Sequence, residues 1–325
     1  MISQEHTTLQ VRLKAQEGYA STLRGRRDLS TKTLVRNRLP ALEPFLHLAS
    51  ARFRELGLTD ASFAVQLHDE APPEPCFRFD APLRNPGQGL LIPDPYALGS
   101  QGFAQLRQQF TEQPLPRWPE RLPQAVWRGS TTGNQALTVA NLTENKRYQL
   151  CRQSKRLALG LDARLTAVVQ CDDPESQAGV VDQLHQEELM APRVSPWHLA
   201  LHRWLVEIDG NVNSWGLLWK LLSGCCVVRV SSTRTQWYHH KLRTWVHIVP
   251  VSADLHDLGA VLEWCKDNAQ TCCDIAQNGR ELALQVVEEM EAHQQRAVDV
   301  YAENWLLNGS LEKFKRRRLN TPKLQ

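Results

Sequence analysis

Residues 206–216 read Val206-Glu207-Ile208-Asp209-Gly210-Asn211-Val212-Asn213-Ser214-Trp215-Gly216, and this stretch decides the fold. It begins as an apolar strand, turns at Asp-Gly, and passes through small polar residues into an apolar helix expected from Leu217 to Leu222. Where a strand ends in such a turn before a helix, free backbone N–H groups and the positive end of the helix dipole face one point. The stretch therefore predicts an α/β sheet with an anion-binding turn at the end of this strand.

An upstream stretch has the same character. It reads Ala125-Val126-Trp127-Arg128-Gly129-Ser130-Thr131-Thr132-Gly133-Asn134. Directly after a short apolar strand, it offers a guanidinium group, three hydroxyl groups and two glycines. Two small polar turns in one α/β half predict that a phosphate-bearing ligand is held between them.

Apolar and polar segments alternate regularly from Ala125 onward. Strands are predicted at 124–128, 165–170, 204–209, 225–230 and 246–250, and helices near 147–159, 180–190, 215–223 and 235–243. This alternation is typical of a parallel sheet with helices on both faces. Two short helices are predicted at 259–268 and 271–279, and one long helix follows at 281–307.

The N-terminal part has a weaker pattern. Polar and apolar residues recur at helical spacing over residues 8–57, with an interruption at Leu39-Pro40, and residues 63–67 are predicted to form a strand. The stretch from Pro72 to Pro95 contains seven prolines. Because proline fits neither a central helix nor a central strand, we predict a long surface loop there.

Charge and hydropathy narrow the class of protein. The formal net charge of the 325-residue chain is only +3, which does not indicate a nucleic-acid partner. Basic residues cluster near the two ends, at Arg24, Arg26, Arg27, Lys313, Lys315, Arg316, Arg317 and Arg318. They either keep the ends soluble or attract the chain to an anionic membrane surface.

The expected compartment follows from two further patterns. No apolar stretch approaches the roughly 18 residues that span a bilayer, and the first residues lack the charged and apolar regions of a secretion signal. We therefore expect a cytoplasmic protein, either free or at the inner face of the membrane. The eight cysteines form no Cys-x-x-Cys pair, so we expect all of them to be reduced.

Six segments, in this order and spacing, resemble glycosyltransferase family 90. This family includes capsule-associated and lipopolysaccharide sugar transferases and the eukaryotic protein O-glucosyltransferases. The segments are Trp127–Gly133, Arg147–Cys151, Asp209–Ser214, Leu221–Val228, Trp245–Val251 with Asp254-Leu255, and Ile275–Gly279. The order and spacing fit the family from about residue 76 to about residue 280, whereas the two ends of the chain match only loosely.

The resemblance implies an architecture of the GT-B type, in which two Rossmann-like domains face each other across a cleft. On this basis we expect an acceptor-side domain at 1–118 that contains the Pro-rich loop 72–95. A nucleotide-sugar-binding Rossmann-like domain is expected at 119–280, and a C-terminal helix with a basic tail at 281–325. In that fold the final helix commonly crosses back to the first domain.

The resemblance also implies the groups that hold the donor. Without a metal ion or another cofactor, the diphosphate of a nucleotide sugar is neutralised by arginines, hydroxyl groups and helix N-termini. The expected donor-binding residues are Arg128, Gly129, Ser130, Thr131, Thr132, Arg147, Asp209, Gly210, Asn213 and Ser214. Alternatively, the two arginines are ordinary surface or ion-pairing residues. Asp209 either binds ribose hydroxyls or only caps its turn.

The general base is the point at which the chain departs from the family. Family members carry an aspartate directly before an apolar run that ends in proline, whereas here Gly89 precedes Leu90-Leu91-Ile92-Pro93. The nearest carboxylates are Asp94 and Asp80, and Asp69 is a third candidate. We predict Asp94 or Asp80 as the base.

The predicted function is that of an inverting, metal-independent glycosyltransferase. It would move a sugar from a nucleotide sugar, a UDP-sugar in the first place, to a cell-envelope glycan such as lipopolysaccharide. Its partners would be that donor, a glycan or glycolipid acceptor and, at the cell periphery, an anionic membrane. The alternative is a non-catalytic family member that binds nucleotide sugars as a scaffold or binding subunit.

Overall fold

The computed structural model describes residues 8–14, 18–24, 29–69, 76–84, 90–133, 136–157 and 160–319. The chain divides into two compact units. Unit 1 comprises residues 1–81, 86–99 and 289–325, and unit 2 comprises residues 82–85 and 100–288. The sequence-based domain boundaries, after residues 118 and 280, differ from these divisions.

Unit 1 contains a five-stranded mixed sheet. Its strands are β1 (Thr8–Leu13), β2 (Tyr19–Arg24), β3 (Ser62–Gln66), β4 (Phe77–Arg78) and β6 (Leu90–Leu91), in the order β2-β1-β3-β4-β6. Strand β1 is antiparallel to both of its neighbours, whereas β3, β4 and β6 run parallel. The predicted strand at 63–67 is confirmed, but this sheet is not the mostly parallel sheet of a Rossmann-like domain.

The prediction of helical spacing is wrong for residues 8–13, which form strand β1. Leu9, Val11 and Leu13 are buried on one side of β1, which is the period of two that a strand produces. Among the described residues of this region, the helical pattern holds for α1 (Leu29–Glu55), which continues through Pro40 and Pro44 without ending there.

The prediction of a Pro-rich surface loop is wrong for the part of it that the structure describes. Strands β4 and β6 pair in parallel, with Phe77 opposite Leu90, and a two-residue strand β5 (Ala81–Pro82) lies between them in sequence. Phe77, Phe79 and Ile92 are fully buried. The prolines flank these short pairings, so the apolar residues between them can still enter the core. Gly89 lies outside the described residues.

The last helix, α10 (Met290–Leu319), belongs to unit 1, in agreement with the returning helix that the resemblance implies. The ring of Tyr301 stacks on Phe77 at 5.0 Å, and Asp299 pairs with Arg52 of α1 at 2.7 Å. Since α10 begins at Met290, the single helix predicted over 281–307 is wrong. Its first residues belong to a separate helix of unit 2.

Unit 2 is built on a five-stranded parallel sheet, so the predicted α/β class is confirmed. Its strands are β7 (Leu122–Ser130), β8 (Leu161–Ala167), β9 (His202–Glu207), β10 (Cys226–Val230) and β12 (Val249–Val251), in the order β12-β10-β9-β7-β8. A two-residue strand, β11 (Arg234–Thr235), follows β10 in the chain.

Helices connect these strands and cover both faces of the sheet. They are α3 (Ala104–Glu112), α4 (Lys146–Leu157), α5 (Pro174–Gln186), α6 (Pro196–Leu199), α7 (Leu217–Leu222), α8 (Leu258–Asp267) and α9 (Ala269–Glu288), whereas α2 (Pro95–Gly99) belongs to unit 1. Short 3₁₀ helices lie at Trp118–Glu120, Leu142–Glu144 and His239–Lys241. The helix predicted at 235–243 is therefore wrong, because this segment contains only the end of β11 and a 3₁₀ turn.

Alternate residues of the strands of unit 2 enter two apolar cores. Trp204 and Val206 belong to the larger core, whereas Val126 and Leu205 belong to a smaller one on the opposite face. Burial of both faces is what a parallel sheet requires. No helix in the described part of the chain is long and apolar enough to cross a membrane.

Candidate functional site

The order of the strands identifies one edge of the sheet in unit 2 as the candidate site. From β7 the chain proceeds to β8 on one side and then returns to β9 on the other side of β7. The connections at the carboxyl ends of β7 and β9 therefore leave in opposite directions. In open α/β sheets, ligands bind in the crevice at such a topological switch point. Both small polar turns predicted from the sequence begin here.

The two turns are in direct contact with each other. The backbone N–H group of Gly133, after β7, donates to Oδ1 of Asn211, after β9, at 2.9 Å. A Cβ atom on Gly210 would lie 2.5 Å from Oγ1 of Thr132 and 3.0 Å from a guanidinium nitrogen of Arg147. Only a glycine fits this approach, which explains the Asp-Gly sequence at the turn.

Arg147 fastens the ends of the two strands together. It lies in the first turn of α4, where Oδ1 of Asn145 accepts from the backbone N–H groups of Arg147 and Tyr148 at 3.1 and 3.0 Å. The guanidinium donates to the backbone carbonyl oxygens of Asp209 at 3.0 Å and Ser130 at 3.1 Å, and also to the Thr132 hydroxyl. The structure thus shows a positioning role for Arg147, and direct contact with a ligand phosphate stays a prediction.

Arg128 is directed towards β8. Its guanidinium donates to the backbone carbonyl of Asp162 at 2.7 Å and forms an ion pair with the carboxylate of the same residue. Two other predicted residues also support the strand end. Thr131 is fully buried and exchanges hydrogen bonds with the backbone of Val169, and a Cβ atom on Gly129 would collide with the Trp127 ring. Contact of these three residues with a ligand stays a prediction.

Asp209 holds the second turn in shape. One carboxylate oxygen accepts from the backbone N–H group of Ser214 at 3.3 Å, and the other accepts from the Ser232 hydroxyl at 2.5 Å. Burial raises the pKa of Asp209 above its ordinary value, the Ser232 hydrogen bond opposes this shift, and nearby Glu207 adds to it. The turn-capping alternative is therefore what the structure shows, while the remaining lone pairs leave ribose binding as a prediction.

Asn213 has a polar atom that the protein does not satisfy. Its side chain is almost fully buried, and Nδ2 donates to the Ser232 hydroxyl at 3.1 Å and to the carbonyl of Arg234 at 3.2 Å. Oδ1 has no hydrogen-bond partner among the described residues. A buried unsatisfied oxygen costs about 1–3 kcal/mol, so it needs an explanation such as a bound water molecule or ligand.

Helix α7 is short, as the sequence predicts for the apolar stretch from Leu217 to Leu222. It comprises six residues from Leu217, and its N-cap Gly216 provides no side-chain cap. Such a short helix has a small macrodipole, since the dipole is the sum of its aligned peptide units. The anion cradle predicted here must therefore rely more on side chains and backbone N–H groups than on the helix dipole.

The loop after β10 adds residues that the sequence analysis missed. Ser232 contacts both Asp209 and Asn213. Gln236 is 2% exposed, and neither of its amide heteroatoms has a hydrogen-bond partner among the described residues. Burial holds the pKa of His239 well below its ordinary value, with Arg229 acting in the same direction. The sequence predicted a helix at 235–243 and therefore did not indicate this loop. The signal that could have found it is its position directly after β10, which neighbours β9 and ends at the same edge of the sheet.

A buried ion pair joins helix α7 to the end of strand β9. Nζ of Lys220, in α7, contacts the carboxylate of Glu207 and donates to the carbonyl of Val206 at 2.8 Å. Both side chains are buried. Removal of one partner would leave a buried charge without compensation, so the pair fixes α7 against the end of β9.

The candidate bases lie in unit 1. Asp94 is 2% exposed, and its Oδ1 accepts from the backbone N–H groups of Tyr96 at 2.9 Å and Ala97 at 3.1 Å at the start of α2. Burial raises the pKa of Asp94 to about 7, against the opposing effect of these N–H groups and Arg38. Asp80 is completely buried, and Asp69 forms an ion pair with Arg38. The catalytic role of Asp94 or Asp80 stays a prediction.

Comparisons with known proteins identify the family. Residues 100–302, more than half of the chain, match the model of glycosyl transferase family 90. The chain therefore belongs to this family, and the resemblance of the motifs is confirmed. The matched region begins where the main segment of unit 2 begins and contains both turns.

Two curated relatives and one solved structure illustrate the similarity. The chain is 30% identical over 177 residues to an uncharacterized protein 179R of Invertebrate iridescent virus 6, covering 49% of the chain and 15% of that protein. It is 24% identical over 168 residues to protein O-glucosyltransferase 2 of Danio rerio, covering 52% of the chain and 30% of that protein. The chain thus spans less than a third of the length of either relative.

The solved structure is Alr3699/HepE of Anabaena in complex with UDP-glucose. It shares 13% sequence identity and a TM-score of 0.40 over 62% of this chain and 53% of that chain. A likeness of this size is too weak to define the architecture. The arrangement of two domains across a cleft therefore stays a prediction.

Proposed function

We propose that this member of glycosyl transferase family 90 transfers a sugar from a UDP-sugar to a hydroxyl group of a glycan, with inversion and without a metal ion. The observation that carries the proposal is the contact between the two small polar turns at the switch point of the parallel sheet. This position is the one at which α/β sheets bind nucleotides.

In the proposed mechanism the turns hold the diphosphate. The hydroxyl groups of Ser130, Thr132 and Ser214 donate to it, together with backbone N–H groups, and the charge of Arg147 lowers the electrostatic cost of the leaving group. Asp209 accepts from ribose hydroxyls through its remaining lone pairs.

Four other residues support these groups by fixing the strand ends: Arg128, Gly129, Thr131 and Gly210. Asn213 accepts a hydrogen bond from the ligand through its Oδ1, which has no partner among the described residues.

The proposed base is Asp94. It takes the proton of the acceptor hydroxyl as the oxygen attacks the anomeric carbon, and the nucleoside diphosphate leaves from the opposite face of the sugar. Burial raises the pKa of Asp94 to about 7 in the structure, and exposure of the carboxyl group would favour the ionised form that accepts a proton. Because Asp94 is buried and caps α2, an acceptor reaches it only after the start of α2 moves. Asp80 is the alternative base.

Hydrolysis of the donor tests whether the chain is an enzyme. Incubation with UDP-sugars in the absence of an acceptor should release the free sugar slowly, because water can replace the acceptor hydroxyl. Asp94→Asn should reduce this rate about a hundredfold or more while UDP affinity stays nearly constant. Loss of the rate in Asp80→Asn instead would reassign the base to Asp80.

The same experiment addresses the non-catalytic alternative. The burial of both candidate carboxylates and the presence of Gly89 at the family's base position favour a chain that binds donors without turning them over. If wild-type protein binds UDP-sugars by calorimetry but hydrolyses none of them, the scaffold function replaces the transferase function. A calorimetric screen of common UDP-sugars identifies the donor in either case.

We further propose a cell-envelope glycan such as lipopolysaccharide as the acceptor, with the protein in the cytoplasm or at the inner face of the membrane. Support comes from the capsule and lipopolysaccharide transferases that share the motifs and from the basic residues near the chain ends. Transfer of radiolabelled sugar to lipopolysaccharide oligosaccharides would support this acceptor. Transfer to a polypeptide hydroxyl instead would align the chain with the O-glucosyltransferases among its relatives.

A further inference from the structure

A cavity in unit 2 lies at the amino ends of the parallel strands, at the opposite edge of the sheet from the two turns. Its volume is about 490 Å³, within the range of about 300–1,000 Å³ that small-molecule sites occupy. It is lined by Trp118 and Arg121 just before β7, by Gly224 just before β10, and by Gln277, Arg280 and Glu281 of α9. Because β7 and β10 start here and the candidate donor site is at the strand ends, the two sites are separate.

One wall of the cavity is apolar and rigid. Phe110 and Leu115 line it and also pack against the smaller core of the sheet. The Trp118 ring lies edge-on to Trp204, with ring centroids 6.5 Å apart. Rings held in this way lose little conformational entropy when a ligand stacks on them. Leu284 of α9, a large apolar side chain that is 37% exposed, extends the wall to the rim.

The other wall carries polar groups with unused hydrogen-bonding capacity. Arg280 is exposed and has no hydrogen bond or ion pair with any residue in the described part of the chain. Glu281 accepts one hydrogen bond, from Nε2 of Gln277 at 3.1 Å, which leaves most of its carboxylate lone pairs available. On the apolar wall, Nε1 of Trp118 is buried and has no partner among the described residues.

Two further residues keep the floor of the cavity fixed and open. Arg121 is engaged with the protein, because its guanidinium donates to the carbonyls of Gly224 at 2.8 Å and Pro116 at 3.1 Å. Gly224 adopts a φ of +66°, which favours glycine, and a Cβ atom there would contact Cδ of Arg280 at 3.4 Å. The absence of a side chain at Gly224 therefore leaves room next to Arg280.

The chemistry of these walls selects one class of ligand. A cation would face Arg280 and an anion would face Glu281, so the adjacent opposite charges disfavour both. A neutral saccharide presents hydroxyl groups that donate and accept side by side, together with a C–H face that stacks on an aromatic ring. We propose that this cavity binds a neutral saccharide unit, as a site separate from the donor site. The proposal does not depend on the proposed transferase function.

The test measures binding of neutral saccharides to the full chain. The probes are the methyl glycosides of glucose, galactose, mannose and N-acetylglucosamine, with maltose and cellobiose as longer ligands. Binding is followed by saturation-transfer NMR and quantified by calorimetry. At least one probe should bind, and binding should be independent of UDP.

Substitutions on the polar wall identify the site. Arg280→Ala and Glu281→Gln should each weaken binding about tenfold or more, since each removes a charge-assisted hydrogen bond to the ligand. Trp118→Phe keeps the stacking ring and removes the N–H group, so its effect should be smaller. Arg193→Ala and Glu263→Gln are matched controls, because both residues are exposed in unit 2 and neither lines the cavity. The controls should bind saccharide like the wild type.

Three results would overturn the proposal. One is the absence of binding by every probe up to its solubility limit, and another is binding that Arg280→Ala and Glu281→Gln leave unchanged. The third is a wild-type protein that binds no saccharide but does bind sodium decanoate, with the decanoate binding lost in Arg280→Ala. This result would indicate a site for amphiphiles. UDP binding, measured on the same samples, should be equal in all variants. If the wild type does not bind UDP, the proposed donor site is wrong, but the proposed saccharide site is unaffected.

Discussion

Gly210→Ala tests the contact between the two turns. The added Cβ atom would lie 2.5 Å from Oγ1 of Thr132, a distance that real Cβ atoms essentially never show, and 3.0 Å from a guanidinium nitrogen of Arg147. Neither neighbour is free to move, because the Thr132 hydroxyl and the Ser130 carbonyl both accept hydrogen bonds from that guanidinium. The methyl group therefore has to push the turns apart.

The expected cost is that of overpacking, about 1–3 kcal/mol in the free energy of unfolding. UDP affinity should fall as well, because the displaced turns no longer present their hydroxyl and N–H groups to one point. Thr132→Ala removes the atom at 2.5 Å. The double variant Gly210→Ala/Thr132→Ala should therefore be less destabilised than the sum of the single changes, with a coupling of about 0.5 kcal/mol or more.

Equilibrium urea unfolding measures the stability change, and calorimetry measures UDP affinity. Gly179→Ala is the matched control, because Gly179 lies within helix α5 and its added Cβ would make only an ordinary contact of 3.4 Å with Val139. That change should stabilise the protein slightly, by up to about 1 kcal/mol. A Gly210→Ala protein as stable as the wild type, with unchanged UDP affinity, would refute the reasoning.

Three further predictions concern other groups of the protein. Lys220→Met should reduce the free energy of unfolding by about 3–5 kcal/mol in urea titrations, because it leaves the buried Glu207 carboxylate unpaired, and Glu207→Gln in the same chain should restore part of the loss. Burial raises the folded-state pKa of Asp94 from 3.8 to about 7, so the wild type should lose stability as the pH rises between these values. Urea unfolding from pH 4 to 8 should show a loss of up to about 4 kcal/mol that Asp94→Asn lacks. Arg147→Ala should weaken UDP binding about tenfold or more by calorimetry, whereas Arg128→Ala should mainly reduce stability, and the reverse result would make Arg128 the ligand contact.

The sequence predicted the parallel sheet of unit 2 and the two turns because these features are local. Strand β9, the Asp-Gly turn and the hydroxyl-rich turn after β7 all lie within short continuous stretches. That the turns meet also follows from the strand order, since two strands on either side of a switch point end at the same edge. The motifs therefore predicted the two turns, and ligand binding at them stays a prediction.

The individual contacts were not predictable in the same way. Whether Arg147 faces a ligand or the carbonyls of Ser130 and Asp209 depends on how α4 docks against the sheet, which no local pattern records. By contrast, the capping role of Asp94 was accessible, because an aspartate directly before Pro95 is a typical helix start. In β1, the alternation of Leu9, Val11 and Leu13 was also visible, but the long helix that follows dominated the pattern.

The most direct measurement of the central claim is the thermal unfolding of the full chain with UDP in the presence of EDTA. If protein groups at the two turns hold the diphosphate, UDP should raise the melting temperature without any divalent ion. At a hundredfold excess over its Kd, the stabilisation should reach about 2.7 kcal/mol. Stabilisation that appears only with Mn²⁺ or Mg²⁺ and disappears with EDTA, or no stabilisation at all, would contradict the account.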